Sequence, residues 1–168
     1  MKKTLSIIVY NESGVLTRIA TVFSSRGFNI DSIAVGPTEN IGFSKIIIVL
    51  PGDDQIIEQI TKQLNKLIQV VEVKDISNRP CVERELMLLK VESSRATRSE
   101  ILEIVQIFRS KVVDVSDISI TIEVTGDPGK IITIQQLLKP YRIIEIVRTG
   151  KISVERELGI NTEYLKRI

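Results

Sequence analysis

Histidine is absent from the 168-residue chain, which removes the side chain most often used to move protons near neutral pH and the commonest transition-metal ligand. Tryptophan is absent as well and aromatics make up only 4 %, so there are few platforms on which nucleobases could stack. A single cysteine, Cys81, excludes an intramolecular disulfide and a CxxC metal site. With no histidine to activate it and no helix start beside it, Cys81 is read as incidental, and its isolation fits a reducing compartment. No apolar run reaches the roughly 18 residues that a membrane helix needs. Residues 1 to 9 have the look of an export signal, but the run stops at Tyr10-Asn11-Glu12 without a small-residue cleavage site, and they are read as a first strand. An excess of either charge is missing too: the net charge is +2 with 26 % charged residues, interspersed and without a basic tract. The expectations are no catalytic residue, no metal, no nucleic acid and no membrane.

What is present is a β-branched chain, 43 % hydrophobic, whose pattern occurs twice. Residues 3 to 77 read as strand, helix, strand, strand, helix, strand. Val15, Leu16, Ile19, Ala20, Val22 and Phe23 mark one helix face with Gly27 as its stop. Asn29 to Val35 and Phe43 to Leu50 read as a hairpin around Gly36-Pro37 and Asn40 to Gly42. A second helix, capped by Asp53 or Asp54, carries Ile56, Ile57, Ile60, Leu64 and Leu67, and Ile68 to Ile76 closes the unit. Ser77-Asn78-Arg79-Pro80 reads as a linker.

The pattern then restarts. Glu83 to Val91 is a strand. Thr97 with Glu100 reads as a capping box for a helix that turns Ile101, Leu102, Ile104, Val105 and Phe108 inward. Val112 to Val115 and Ser119 to Thr125 are strands, Pro128 opens a helix with Ile131, Ile134, Leu137 and Leu138 as its stripe, and Ile143 to Val147 ends the unit. Two βαββαβ units mean an α+β chain of two ferredoxin-like sandwiches, residues 1–78 and 79–168, the second with a frayed tail after Lys151.

The junction Asn11-Glu12-Ser13-Gly14-Val15-Leu16 is the chain's most informative stretch. The backbone N–H groups of Gly14, Val15 and Leu16 would point out of a helix N-terminus, where the peptide dipoles favour a carboxylate. Alone, the loop reads more readily as only a helix cap and turn. Two other motifs carry no chemistry. Gly126-Asp127-Pro128-Gly129-Lys130 lacks the spacing of a phosphate loop and reads as a helix start. Glu83 and Glu85 share one face of a strand, expected to be solvated, with Arg84 on the other, and are read as structural or as a partner contact.

Taken together, Asn11 to Leu16, Arg26-Gly27-Phe28-Asn29-Ile30, Val35-Gly36-Pro37-Thr38, Glu58-Gln59-Ile60 with Lys62-Gln63-Leu64, and Val82-Glu83-Arg84-Glu85-Leu86 resemble the regulatory (small) subunit of acetohydroxyacid synthase, also called acetolactate synthase. The resemblance continues through Ile107-Phe108-Arg109, Val113-Asp114-Val115 and Arg148-Thr149-Gly150. Thr125 to Lys130 and Asn161-Thr162-Glu163-Tyr164 look most like the cyanobacterial and plastid-encoded versions.

This resemblance implies an N-terminal ACT domain, a homodimer, and a catalytic large subunit as partner. It also implies that the thiamine diphosphate, Mg²⁺ and FAD belong to that partner, with no cofactor in this chain. Its effector would be valine, or leucine or isoleucine, bound where two ACT domains meet through second strands or first helices. The expected contacts are the backbone at Gly14, Val15 and Leu16, the amides of Asn11 and Asn29 from opposite protomers, and a socket of Leu16, Ile30 and Ile33. Ala34 and Gly36 on the second strand would tune effector strength. The work would be done in the plastid stroma if the chain is made inside that organelle, since no transit peptide is visible, or in a bacterial cytoplasm. A stand-alone amino-acid-responsive transcription regulator is the second class considered, although no helix-turn-helix or basic arm is visible. A small enzyme is the third, and it lacks a titratable constellation.

Overall fold

The computed structural model describes residues 1–157. They form two compact units, Met1–Val82 with residues 153–157, and Glu83–Ile152. The first contains β1 (Lys2–Tyr10), α1 (Val15–Ser25), β2 (Ser32–Pro37), β3 (Phe43–Pro51), α2 (Asp54–Leu64) and β4 (Val70–Asp75). Its antiparallel sheet has the order β2-β3-β1-β4. The alternation in β1 puts Leu5, Ile7 and Val9 on the face covered by α1 and α2, where they pack with Ile19, Phe23, Ile46, Ile48, Ile57, Ile60 and Leu64. Each such side chain withdrawn from water contributes about 1.5–3 kcal/mol. Lys3 shares that face, only 2 % exposed, and its ammonium donates to Asp54 in the first turn of α2 at 2.5 Å. That hydrogen bond holds the Lys3 pKa above its ordinary value.

The second unit repeats the plan with β5 (Cys81–Glu92), α3 (Arg98–Ile107), β6 (Lys111–Val115), β7 (Ser119–Gly126), α4 (Pro128–Leu138), a 3₁₀ turn (Lys139–Tyr141) and β8 (Ile143–Arg148), in the order β6-β7-β5-β8. Met87, Leu89, Val91, Ile101, Val105, Ile122, Ile131 and Ile134 form its core. The repeat extends to irregularities: β4 slips against β1 between Ile8 and Val9, and β8 slips against β5 between Lys90 and Val91. The two ferredoxin-like βαββαβ units expected from the sequence are present.

Several details differ from expectation. Asn29 to Asp31 lie outside the strand, because Phe28 N–H turns back onto the Phe23 carbonyl (3.0 Å) and pairing starts only where Asp31 N–H meets Val49 (2.8 Å). Gly36 and Pro37 instead end β2, an outermost strand, where the missing proline N–H leaves no ladder bond unmade. Ile68 and Gln69 precede β4, with Ile68 exposed.

The capping box is shifted back by one turn. Ser94 N–H donates to the Thr97 hydroxyl and Thr97 N–H to the Ser94 hydroxyl, while Glu100 accepts from Tyr141 (2.7 Å). Leu102 and Leu137 are partly exposed at the rims of their helices. Glu83 and Glu85 do not face solvent freely: they continue the face of Met87, Leu89 and Val91, where Glu85 is 5 % exposed and paired with Arg148, and Glu83 is paired with Lys151. The tail expected to fray begins as β9 (Ile152–Glu155), a strand on β5, fastened further by Arg156 N–H to the Pro80 carbonyl and Arg79 to Glu155. The rest of the expected tail, with Asn161 to Tyr164, lies outside the described residues.

Candidate functional site

The loop between β1 and α1 is held by backbone bonds. Tyr10 N–H donates to Gln69, and Asn11 N–H donates to the carbonyl of Gly42 in the β2–β3 turn at 2.8 Å. The Tyr10 ring packs on Phe43 with centroids 5.2 Å apart. These anchors fix the backbone of Asn11 and leave its side chain in solvent with no protein partner among the described residues. Gln69 and Gly42 gave no sign of this role in the sequence, because the bonds are backbone-mediated and cross the fold.

Gly14 is the N-cap of α1, with φ 82° and no side-chain cap. The left-handed backbone is what requires glycine here, since a Cβ at this position would meet no other atom. Of the three expected donors, Val15 N–H is turned toward the Glu12 carbonyl at 3.5 Å, while Gly14 and Leu16 N–H have no acceptor among the described residues. The second helix of each unit is closed by a side chain at its N-cap, and α3, like α1, has no side-chain cap. Asp53 accepts from Ile56 N–H (2.9 Å), Asp127 from Lys130 N–H (2.8 Å), and Ser94 and Thr97 bond each other. In the second repeat the guanidinium of Arg98 also ties Ser93 to the carbonyl of Ser116. The first repeat has no such side-chain bridge across its strand-to-helix junction among the described residues, which leaves the Gly14 and Leu16 N–H groups free for a small anion.

Asn29, Ile30 and Ile33 are placed elsewhere. Asn11 precedes α1 and Asn29 follows it, so an 11-residue helix of roughly 16 Å separates them. One copy gathers Asn11, Gly14, Val15 and Leu16 at one end of α1, and Asn29 and Ile30 at the other. Ile30 is partly buried against the core and Asn29 is exposed. Ile33 and Val35 stand opposite the core residues Ile48 and Ile46, yet remain partly exposed because β2 has no outer neighbour. The β2–β3 register runs unbroken from Ser32–Val49 to Pro37–Ser44. The matching edge strand of the second unit, β6, carries a bulge at Val113. A shallow depression of about 220 Å³ beside Ile8, Phe43 and Lys45 includes none of the expected residues. Among the described residues there is no group of His, Cys, Asp or Glu suited to a metal, and no helix long and apolar enough to cross a membrane.

Residues 5–72 match the family model described as the AHAS small subunit-like ACT domain, and residues 84–157 match that of the small subunit of acetolactate synthase. The chain is 50 % identical over 164 residues to the acetolactate synthase small subunit of Aquifex aeolicus, covering 96 % of this chain and 85 % of that one. It is 47 % identical to the probable small subunit of Archaeoglobus fulgidus, covering 93 % and 98 %. To the chloroplastic small subunit 2 of Arabidopsis thaliana it is 49 % identical over 93 % of its length, and it spans 32 % of that longer protein. The crystal structure of the Thermotoga maritima small subunit superposes with a TM-score of 0.82 at 40 % identity, covering 93 % and 98 % of the two chains. These likenesses do not favour the transcription-regulator alternative. The chain belongs to the family of acetolactate synthase small subunits, the regulatory subunits of that enzyme, with an ACT domain in its N-terminal unit.

Proposed function

We propose that the chain is a non-catalytic subunit that raises the activity of a catalytic large subunit and makes it sensitive to valine or a neighbouring branched-chain amino acid. Thiamine diphosphate, Mg²⁺ and FAD are assigned to the large subunit, and no cofactor to this chain. The place of work is the plastid stroma or a bacterial cytoplasm, in keeping with a chloroplastic relative and bacterial ones.

The observation that carries this reading is the division of the expected polar contacts between the two ends of α1. An amino acid is far shorter than the roughly 16 Å of helix between Asn11 and Asn29. Two copies joined along β2 by a two-fold axis, with their α1 helices antiparallel, bring Asn11 of one copy against Asn29 of the other and repeat the site twice. The unbroken β2 edge with Ile33 and Val35 suits such a joint. In that seam the free N–H groups of Gly14 and Leu16 take the carboxylate, and the side-chain amides serve the ammonium without adding an unpaired charge. Leu16, Ile30 and Ile33 receive the branched side chain. One methylene in such a socket is worth about 1–3 kcal/mol, so discrimination among valine, leucine and isoleucine is modest. A ligand that bridges copies senses their relative placement, and a coupling of about 1–3 kcal/mol is enough for feedback.

The test is reconstitution. Added to its purified catalytic subunit, the chain should raise acetolactate formation and render it sensitive to valine. If it changes neither quantity at saturation, the proposal fails.

A further inference from the structure

Both repeats hang the residue after their first strand from the turn of the neighbouring hairpin. Asn11 N–H donates to the Gly42 carbonyl in the β2–β3 turn, and Ser93 N–H donates to the Ile118 carbonyl in the β6–β7 turn, each at 2.8 Å. One hydroxyl knots each turn. Thr38 Oγ1 accepts from Asn40 N–H at 3.2 Å and lies 3.0 and 3.3 Å from the carbonyls of Asn40 and Phe43, to either of which it can donate. Ser116 Oγ accepts from the N–H groups of Ile118 and Ser119 at 3.3 and 3.0 Å.

The repeats part in what else fastens the loop. In the second, the Arg98 guanidinium donates to the Ser93 hydroxyl and to the carbonyls of Ser116 and Asp117, so a side chain also ties the start of α3 to its turn. In the first, the arginine of α1, Arg18, donates to the Gln69 side chain on the connection before β4 instead. Among the described residues, Asn11 N–H to Gly42 is the one hydrogen bond from residues 11–14 to another part of the fold. The place of Asn11 therefore follows the place of the Gly42 carbonyl.

That carbonyl belongs to a turn with little packing of its own: Asn40 and Gly42 are exposed, and Ile41 is fully so. Hydrogen bonds set its shape. Thr38 N–H donates to the Phe43 carbonyl at 3.1 Å, Phe43 N–H to the Asn40 carbonyl at 3.3 Å, and the Thr38 hydroxyl crosses between them. Thr38 also follows β2 directly, the strand whose free edge forms the proposed seam.

We infer that Thr38 is a positioning residue for the effector: its hydroxyl shapes the β2–β3 turn, the turn places the Gly42 carbonyl, and that carbonyl places Asn11. Thr38 itself touches no ligand. This inference rests on the regulatory reading above, in which Asn11 holds the effector, and it joins the β2 edge to the effector loop through one turn.

The full chain and its variants are titrated calorimetrically with valine. Thr38→Val removes the hydroxyl at nearly constant volume and should raise the valine Kd about 10-fold, whereas Thr38→Ser keeps the hydroxyl and should return it to within about twofold of wild type. Gly42→Ala, strained at φ 88°, disturbs the same carbonyl and should weaken binding as well. Ser116→Ala makes the equivalent loss in the second repeat and should leave the Kd unchanged, which separates positioning from general loosening. Wild-type affinity in Thr38→Val or Gly42→Ala, no rescue by Thr38→Ser, or an equal loss in Ser116→Ala overturns the role of Thr38 and leaves the regulatory reading standing. A wild-type chain that binds neither valine, leucine nor isoleucine overturns both.

Discussion

The guanidinium of Arg148 at the end of β8 holds both carboxylate oxygens of Glu85 on β5, at 2.6 and 2.9 Å. Glu85 is buried at the end of the sheet while Arg148 reaches the rim, and the hydrogen bond to Glu85 keeps the arginine pKa above its usual value. Removing the arginine strands a desolvated carboxylate. Because one side of the pair is wet, Arg148→Ala should cost about 2 kcal/mol, less than for a fully buried pair. Glu85→Gln should cost less, since the amide still accepts one bond. Urea denaturation followed by circular dichroism reads both values.

If each effector site takes Asn11 from one copy and Asn29 from the other, Asn11→Ala and Asn29→Ala homodimers both lack an intact site. Unfolding and refolding an equal mixture yields mixed dimers in which one of two sites is whole, so about a quarter of the tight valine sites should return. Calorimetric titration counts them. No recovery on mixing would mean that both asparagines act within one copy, or that neither acts.

Gly14→Ala meets no atom at its Cβ but forces alanine to φ near 82°. About 1 kcal/mol of stability should be lost through the backbone alone. The N-terminus of α1 would shift, and valine affinity should fall further than that of a control with an equal stability loss elsewhere.

Ile33→Lys places a charge on the free edge of β2 without touching the core beneath it. Sedimentation should show the proposed dimer giving way to monomer, with the proposed valine inhibition lost in the same variant. Intact dimers would relocate the seam.

The hydrogen bonds from Lys3 to Asp54 and from Tyr141 to Glu100 raise both pKa values above 10.5 and 10.0. In the unfolded chain these groups release their protons at lower pH than in the fold. Between the two values the native state holds more protons, so stability falls as pH rises. The contribution is complete below about pH 10 and is lost above it. Denaturant midpoints between about pH 8 and pH 11.5 should show the fall, and Lys3→Met combined with Tyr141→Phe should flatten it.

Much of the architecture was legible because its signal is local. Leu5, Ile7 and Val9 alternate, Ile57, Ile60 and Leu64 recur at the helical spacing, and Asp127-Pro128 announces a helix start. The misses came from bonds between residues far apart in sequence or from trusting residue type over position. Asp31 begins its pairing only because Val49 lies opposite. Glu83 and Glu85 have the parity of Met87 and Leu89, and parity outranked their charge once Arg148 and Lys151 arrived from another strand. Thr97 had a partner three residues ahead and another three behind, and Ser94 won. For the candidate site, the glycine turn before α1 was visible, whereas the Gly42 anchor and the separation of Asn11 from Asn29 needed three dimensions.

Neither α1 nor α3 has a side-chain cap, but before α3 the Ser94 and Thr97 hydroxyls take each other's N–H groups and Arg98 reaches across to the Ser116 carbonyl, whereas the junction before α1 has no such bridge among the described residues. If the effector binds at the α1 junction as proposed, it lends part of the N-terminal unit's cohesion and none of the C-terminal unit's. Warmed in a calorimeter with rising amounts of effector, the protein should melt as a ladder with one movable rung: the N-terminal transition climbs with ligand, and the C-terminal one stays where it was.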